Sequence, residues 1–201
     1  MNNILSPEMF GYLSGICILL GTIPYVRDIF LGKTKPQRST WFIYSVLGSI
    51  SFFSQLAKGA TFSLWLPGVD TIAIVITFIL SLRYGVGGFN KKDYTALFIA
   101  AIGLITWYFT QEAAIALYLV IGIDAIGTYL TLEKTYKDPM SETASAWLFS
   151  SIAGFFAMLA VDSFNIVLLS YPFYLFVACG SVLIAIELGK RKLKKRLFTR
   201  T

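Results

Sequence analysis

Apolar residues in this chain come in long runs separated by short polar breaks. A membrane span needs about 20 mostly apolar residues, because about 1.5 Å of rise per residue must cross about 30 Å of hydrocarbon. Seven segments meet that pattern: Glu8 to Phe30, Thr40 to Leu56, Phe62 to Leu82, Tyr94 to Phe109, Ala113 to Leu132, Thr143 to Val161, and Asn165 to Ile186. The fourth is the shortest on this reading. Turn and charge signals fill the breaks, among them Gly32 to Gln37, Lys58 to Ala60, Gly87 to Asp93 and Lys137 to Pro139. Connections this short predict antiparallel neighbours.

Composition sharpens the picture. Of the 201 residues, 56% are hydrophobic and 14% charged, where an ordinary soluble domain has about 45–50% and about 25%. The mean hydropathy of +0.70 points the same way. With no histidine in the chain, a His-based triad, a His metal site and an imidazole switch are excluded, and proton chemistry falls to carboxylates. Cys17 and Cys179 lie in apolar runs and read as small packing residues. No cofactor and no metal site is expected.

The basic residues assign an orientation. Arg27, Lys33, Lys35 and Arg38 flank the first connection, Arg83, Lys91 and Lys92 the third, and Lys134 and Lys137 the fifth. Seven more close the chain from Lys190 to Arg200, and Lys58 alone lies on the opposite side. The positive-inside rule then puts the N-terminus outside and the C-terminus in the cytoplasm, which requires an odd number of spans. This asymmetry accounts for the net charge of +6, so no nucleic-acid partner is expected. The basic end reads as a topology anchor, with anionic lipid binding as the competing reading. Neither a cleavable signal peptide nor an N-x-[ST] site is visible, which fits a prokaryotic plasma membrane.

The chain also carries a weak internal repeat. Trp41 and Trp147 open the second and sixth segments, Gly48 and Gly154 lie inside them, and Pro67 and Pro172 interrupt the third and seventh. Trp41 to Pro67 is 26 positions and Trp147 to Pro172 is 25. Three spans per copy would invert the second copy, and the fourth segment restores its direction. The expected fold is an all-α membrane protein of seven transmembrane helices, a 3+1+3 arrangement of two parallel triple-helix bundles. Its parts are a first bundle at 1–86, a linker helix at 87–111, a second bundle at 112–188 and a basic cytoplasmic tail at 189–201.

At Pro24-Tyr25-Val26-Arg27-Asp28-Ile29-Phe30-Leu31-Gly32-Lys33-Thr34, followed by Ser39 and Trp41, the chain resembles the PQ-loop or MtN3/saliva (SWEET-like) membrane transporters. Their motif is a proline near the end of the first span, a short amphipathic stretch, and Lys-Ser or Lys-Thr before the next span. Tyr25 stands at the motif's glutamine, and the second copy has Gly127-Thr128 at its proline position. The resemblance implies a two-bundle fold and a transport role, with Pro24 as a hinge, and no particular substrate.

Two carboxylates fall well inside apolar segments, Asp70 and Asp124. An ionised Asp at the centre of a span is disfavoured by about 2.5–3.5 kcal/mol on insertion scales, so each should face a cavity, a partner or a bound proton. They lie about 8 and about 11 residues from the outer ends, roughly 12 and 16 Å at helical rise, so they could share one depth. Neither has a Lys or Arg at i±3 or i±4. Both are candidates for proton coupling and solute binding, against the bland reading of protonated acids hydrogen-bonded for structure. Trp41, Trp147 and Tyr174 join them as candidate solute-binding residues, although the position of the tryptophans at span entrances favours an interfacial belt. Pro67 and Pro172 should kink their spans and act as hinges, or simply shape the packing.

The expected function is a small-solute transporter working by alternating access, with proton coupling through an intramembrane aspartate as its sharper form. The alternatives are a seven-span receptor or scaffold and, more remotely, an intramembrane aspartyl enzyme; the chain is not expected to be an enzyme. Expected partners are a small solute and the lipid bilayer, and a homo-oligomer stays open, since Gly11 with Gly15 and Ser45 with Ser49 form small-xxx-small pairs.

Overall fold

The computed structural model describes residues 6–32, 36–89, 91–140, 142–162 and 164–198. Among them there is no strand, and the chain forms seven α-helices: α1 (Pro7–Phe30), α2 (Arg38–Ala57), α3 (Trp65–Tyr84), α4 (Lys91–Thr110), α5 (Ala113–Lys137), α6 (Ala144–Leu159) and α7 (Ile166–Phe198). The Lys33-Thr34 part of the sequence motif lies outside the described residues.

Local signals set the ends. Ser6 caps α1 by accepting a hydrogen bond from the Met9 N–H at 3.3 Å, Pro7 takes the first helical position, and Glu8 and Arg27 complement the dipole at the two ends. Gly32, at φ +69°, turns the chain out of α1 in a conformation that glycine adopts without a Cβ penalty. The α1–α2 connection and the segment following α3 are tied together where Gln37 bridges Val86.

Among the described residues, four helical stretches are long and apolar enough to cross a bilayer: Pro7–Phe30, Phe62–Tyr84, Ala113–Lys137 and Ile166–Lys194. The expectation of seven such spans is met in part. Serines and Gln55 dilute the apolar character of α2, the apolar part of α4 is Leu97–Thr110, and α6 is the shortest α-helix at 16 residues. The fourth segment, expected to be the shortest, is a 20-residue helix instead. Outward-facing Ile23, Ile72, Ile126 and Ile184 on the four long helices are each about 60% exposed, a surface suited to hydrocarbon.

The packing has an internal order. Helix α3 lies against both α1 and α2, and α7 lies against both α5 and α6; α1 also packs on α6, and α2 on α5. Exchanging α1, α2 and α3 for α5, α6 and α7 leaves these neighbours unchanged. Helix α4 stands outside the exchange and packs on α5 and α2. The glycines obey it too. A Cβ on Gly48 would lie 2.9 Å from Thr71 Oγ1, and one on Gly154 would lie 2.7 Å from the Phe176 nitrogen, so each marks where α2 meets α3 or α6 meets α7 at closest approach.

Two features differ from the sequence reading. The basic segment from Lys190 is not a separate tail: α7 runs on through it to Phe198, with Lys190 paired to Glu187 at 2.8 Å and Lys192 over the Tyr136 ring at 4.4 Å. Pro67 takes the third position of α3, directly after a 3-10 turn at Phe62–Leu64. First-turn N–H groups have no intrahelical acceptor to lose, so Pro67 starts its helix rather than interrupting it. Pro24 and Pro172 do lie inside helices, α1 and α7.

Candidate functional site

A carboxylate in an apolar helix is tolerated where the helix faces a cavity or a partner, and both acids here do. Asp70 on α3 and Asp124 on α5 line one inner cavity of about 190 Å³, to which α1, α2, α3, α5, α6 and α7 all contribute and α4 does not. Trp41 and Tyr44 from α2 and Trp147 from α6 form its aromatic walls. A second, larger cavity of about 540 Å³ shares Asp70, Trp41, Tyr44 and Trp147 and extends past Tyr25, Gln37, Thr77 and Thr143. Those residues lie toward the ends of the helices that carry Arg27, Arg38, Arg83 and Lys137. The two cavities thus share walls, and the second lies toward the basic end of the molecule.

The other end is closed. Cys17, Ile18, Leu66, Leu117, Ala153 and Ala157 are buried in one apolar cluster that joins α1, α3, α5 and α6, and Tyr171 of α7 completes it. Phe10 stacks on Phe156 beyond it, with ring centroids 6.1 Å apart. Two polar contacts between loops lie at the same end. The Thr61 hydroxyl donates to Asp162, linking the α2–α3 and α6–α7 connections, and Lys58 pairs with Glu112 at 2.6 Å.

The two acids are held differently. Tyr174 Oη donates to Asp124 Oδ2 at 2.6 Å, and lies 3.1 Å from Thr128 Oγ1. With the tyrosine proton committed to the carboxylate, the threonine hydroxyl is the donor in the second bond, which makes a directed Thr128–Tyr174–Asp124 chain. Asp70 makes no hydrogen bond among the described residues, and neither cavity is lined by a Lys or Arg among them. The Arg38 side chain is bound elsewhere: its Nε donates to the Ser81 carbonyl at 3.1 Å and its Nη1 to that of Gly87 at 3.2 Å.

The structure thus brings Asp70, Asp124, Trp41 and Trp147 to one chamber and ties Tyr174 to it through Asp124. The tryptophans are cavity walls rather than an outward belt, held by Glu142, which accepts from Trp147 Nε1 at 3.2 Å, and by Tyr25, whose ring lies 5.3 Å from that of Trp41. Pro172 sits between Tyr171, which lines the inner cavity, and Tyr174. Pro67 and Pro24 line neither cavity. The sequence reading missed Tyr44, Thr128 and Glu142. The spacing signals were present in two cases, since Tyr44 follows Trp41 by one helical turn and Thr128 follows Asp124 by one. The cysteines are both free and buried, and Cys179 lines the inner cavity. Compared with family models, curated proteins and solved structures, the chain matches none.

Proposed function

We propose that this chain is a small-solute membrane transporter in which two parallel triple-helix bundles, α1–α3 and α5–α7, rock about the chamber between them, with α4 as the linking span. The observation that carries this reading is the single chamber holding Asp70 and Asp124, sharing walls with a second cavity toward one end of the helices and closed by packed side chains at the other. That is the form of one end state of an alternating-access cycle. The exchange symmetry of the helix neighbours supports the two-bundle arrangement, and the resemblance to PQ-loop proteins around Pro24 agrees with it. The basic end is the cytoplasmic one by the positive-inside rule, so this state is open to the cytoplasm. The membrane is the plasma membrane of a prokaryote.

Proton coupling is the sharper form of the proposal. Asp124, tied to Tyr174, and Asp70, which makes no hydrogen bond among the described residues, are the groups proposed to carry a proton through the chamber. The test is solute exchange in proteoliposomes under an imposed pH gradient. Coupled exchange is expected, with the response abolished in Asp124→Asn while the variant still folds; an unchanged response in that variant discards proton coupling. Accessibility tests the cycle itself. In a background lacking Cys17 and Cys179, Ser150→Cys should react with a polar thiol reagent from the cytoplasmic side and Ala153→Cys from neither. Reaction of Ser150→Cys from neither side removes the open chamber and the transport reading with it.

A further inference from the structure

Resting on that transport reading, we infer that the solute held between Asp70 and Asp124 is an organic cation: an ammonium group carrying apolar carbon, with no carboxylate of its own. Charge comes first. Asp70 and Asp124 face the inner chamber, Glu142 lines the second cavity beside it, and among the described residues the walls carry no lysine or arginine. Arg38, at the open end, is engaged by the Ser81 and Gly87 carbonyls. Carboxylates withdrawn from water need a compensating cation in good geometry, and no described wall residue fills that place. Asp70, which makes no hydrogen bond among the described residues, is the acid with coordination to spare; Asp124 already accepts from Tyr174.

The walls supply the second, independent argument. Trp41, Tyr44 and Trp147 line the chamber beside the acids. An ammonium over an aromatic face is attracted by the ring quadrupole, with tryptophan the best partner. The rings are held in place: Trp147 through Glu142, and Trp41 between Tyr25 and Tyr44 at ring distances of 5.3 and 6.0 Å.

What the chamber lacks narrows the class further. An amino acid would bring a further carboxylate to walls that carry no cation among the described residues, a repulsive contact that selects against it. The inner volume of about 190 Å³ suits a body of a few carbon atoms.

The experiment uses the full-length protein in detergent, reading tryptophan fluorescence and thermal stability with four probes: choline, 2-phenylethylamine, the neutral choline isostere 3,3-dimethyl-1-butanol, and glycine betaine. At least one of the two cations should bind saturably, with the alcohol and betaine at least tenfold weaker. Asp70→Asn should weaken the cation at least tenfold without changing the size-exclusion profile, and Trp147→Phe should weaken it less than Trp147→Ala. Equal binding of choline and its neutral isostere, equal binding of betaine, or binding of neither cation overturns the proposal. Flux of a neutral solute through proteoliposomes without cation binding would overturn the cation assignment and leave transport standing. Cation binding with no flux in proteoliposomes would uphold the site and defeat the carrier.

Discussion

Tyr174 Oη lies 2.6 Å from Asp124 Oδ2, so a residue from α7 fixes the carboxylate of α5 across the second helix triplet. Removing the donor leaves a half-buried carboxylate with an unmet acceptor, at a cost of about 1–3 kcal/mol. Tyr174→Phe is therefore expected to lower the melting temperature in detergent by several degrees. In an Asp124→Asn background the same substitution should cost measurably less. Equal losses in both backgrounds would show that the two residues are not coupled.

Gly154 faces backbone, with a Cβ placed 2.7 Å from the Phe176 nitrogen and 2.9 Å from the Pro172 oxygen. Backbone atoms cannot swing aside as a side-chain tip can. Gly154→Val should destabilise the protein by about 1–3 kcal/mol through overpacking between α6 and α7. Gly122, with nothing within 4 Å of its Cβ position, is the control: Gly122→Ala should be neutral or slightly stabilising, since alanine is the better helix former. Thermal unfolding of the pair checks both.

The pair of Lys58 with Glu112 is solvent-exposed in part, and such pairs add about 0–1 kcal/mol to stability. Its position matters more than its strength, because it joins the α2–α3 loop to the start of α5 at the closed end. Lys58→Glu should leave the melting temperature nearly unchanged, yet raise the reactivity of a buried cysteine at Ala157 toward reagents from the outer side. The swap Lys58→Glu with Glu112→Lys should restore protection. Protection that persists in Lys58→Glu would remove this contact from the closure of that end.

Orientation can be read directly. Gly88→Cys, in open space after α3, should label only from the cytoplasmic side, and Gln111→Cys, between α4 and α5, only from outside. Labelling of both from one side would contradict the assignment by basic residues.

Much of this arrangement was legible in the chain because the informative residues were anomalies. Asp70 and Asp124 stand out since carboxylates in apolar runs are costly, and that cost is what sends them to a cavity wall. Trp41 and Trp147 were ambiguous for a physical reason: a tryptophan at the mouth of an apolar run fits a lipid headgroup or a chamber equally until the rotational phase of its helix is known. Tyr44 and Thr128 carry no anomaly at all, being ordinary in apolar helices, and only their neighbours across the chamber make them notable. Pro67 was misread because its meaning depends on where α3 begins, and the turn at Phe62–Leu64 moves that start to Trp65. The stretch after Lys190 reads as a basic tail by charge, while lysine, arginine and leucine are also good helix formers, and α7 simply continues.

Helix α6 has 16 residues and reaches about 24 Å at helical rise, short of the 30 Å or so of a typical hydrocarbon core. A membrane-spanning role for α6 then makes acyl-chain length a control on the protein: lipids must shorten locally around that helix, or the helix must draw its flanking polar residues inward. Vesicles of short-chain lipid would relieve this mismatch and long-chain lipid would aggravate it, so the thickness of the host membrane becomes a determinant of how α6 sits among its neighbours.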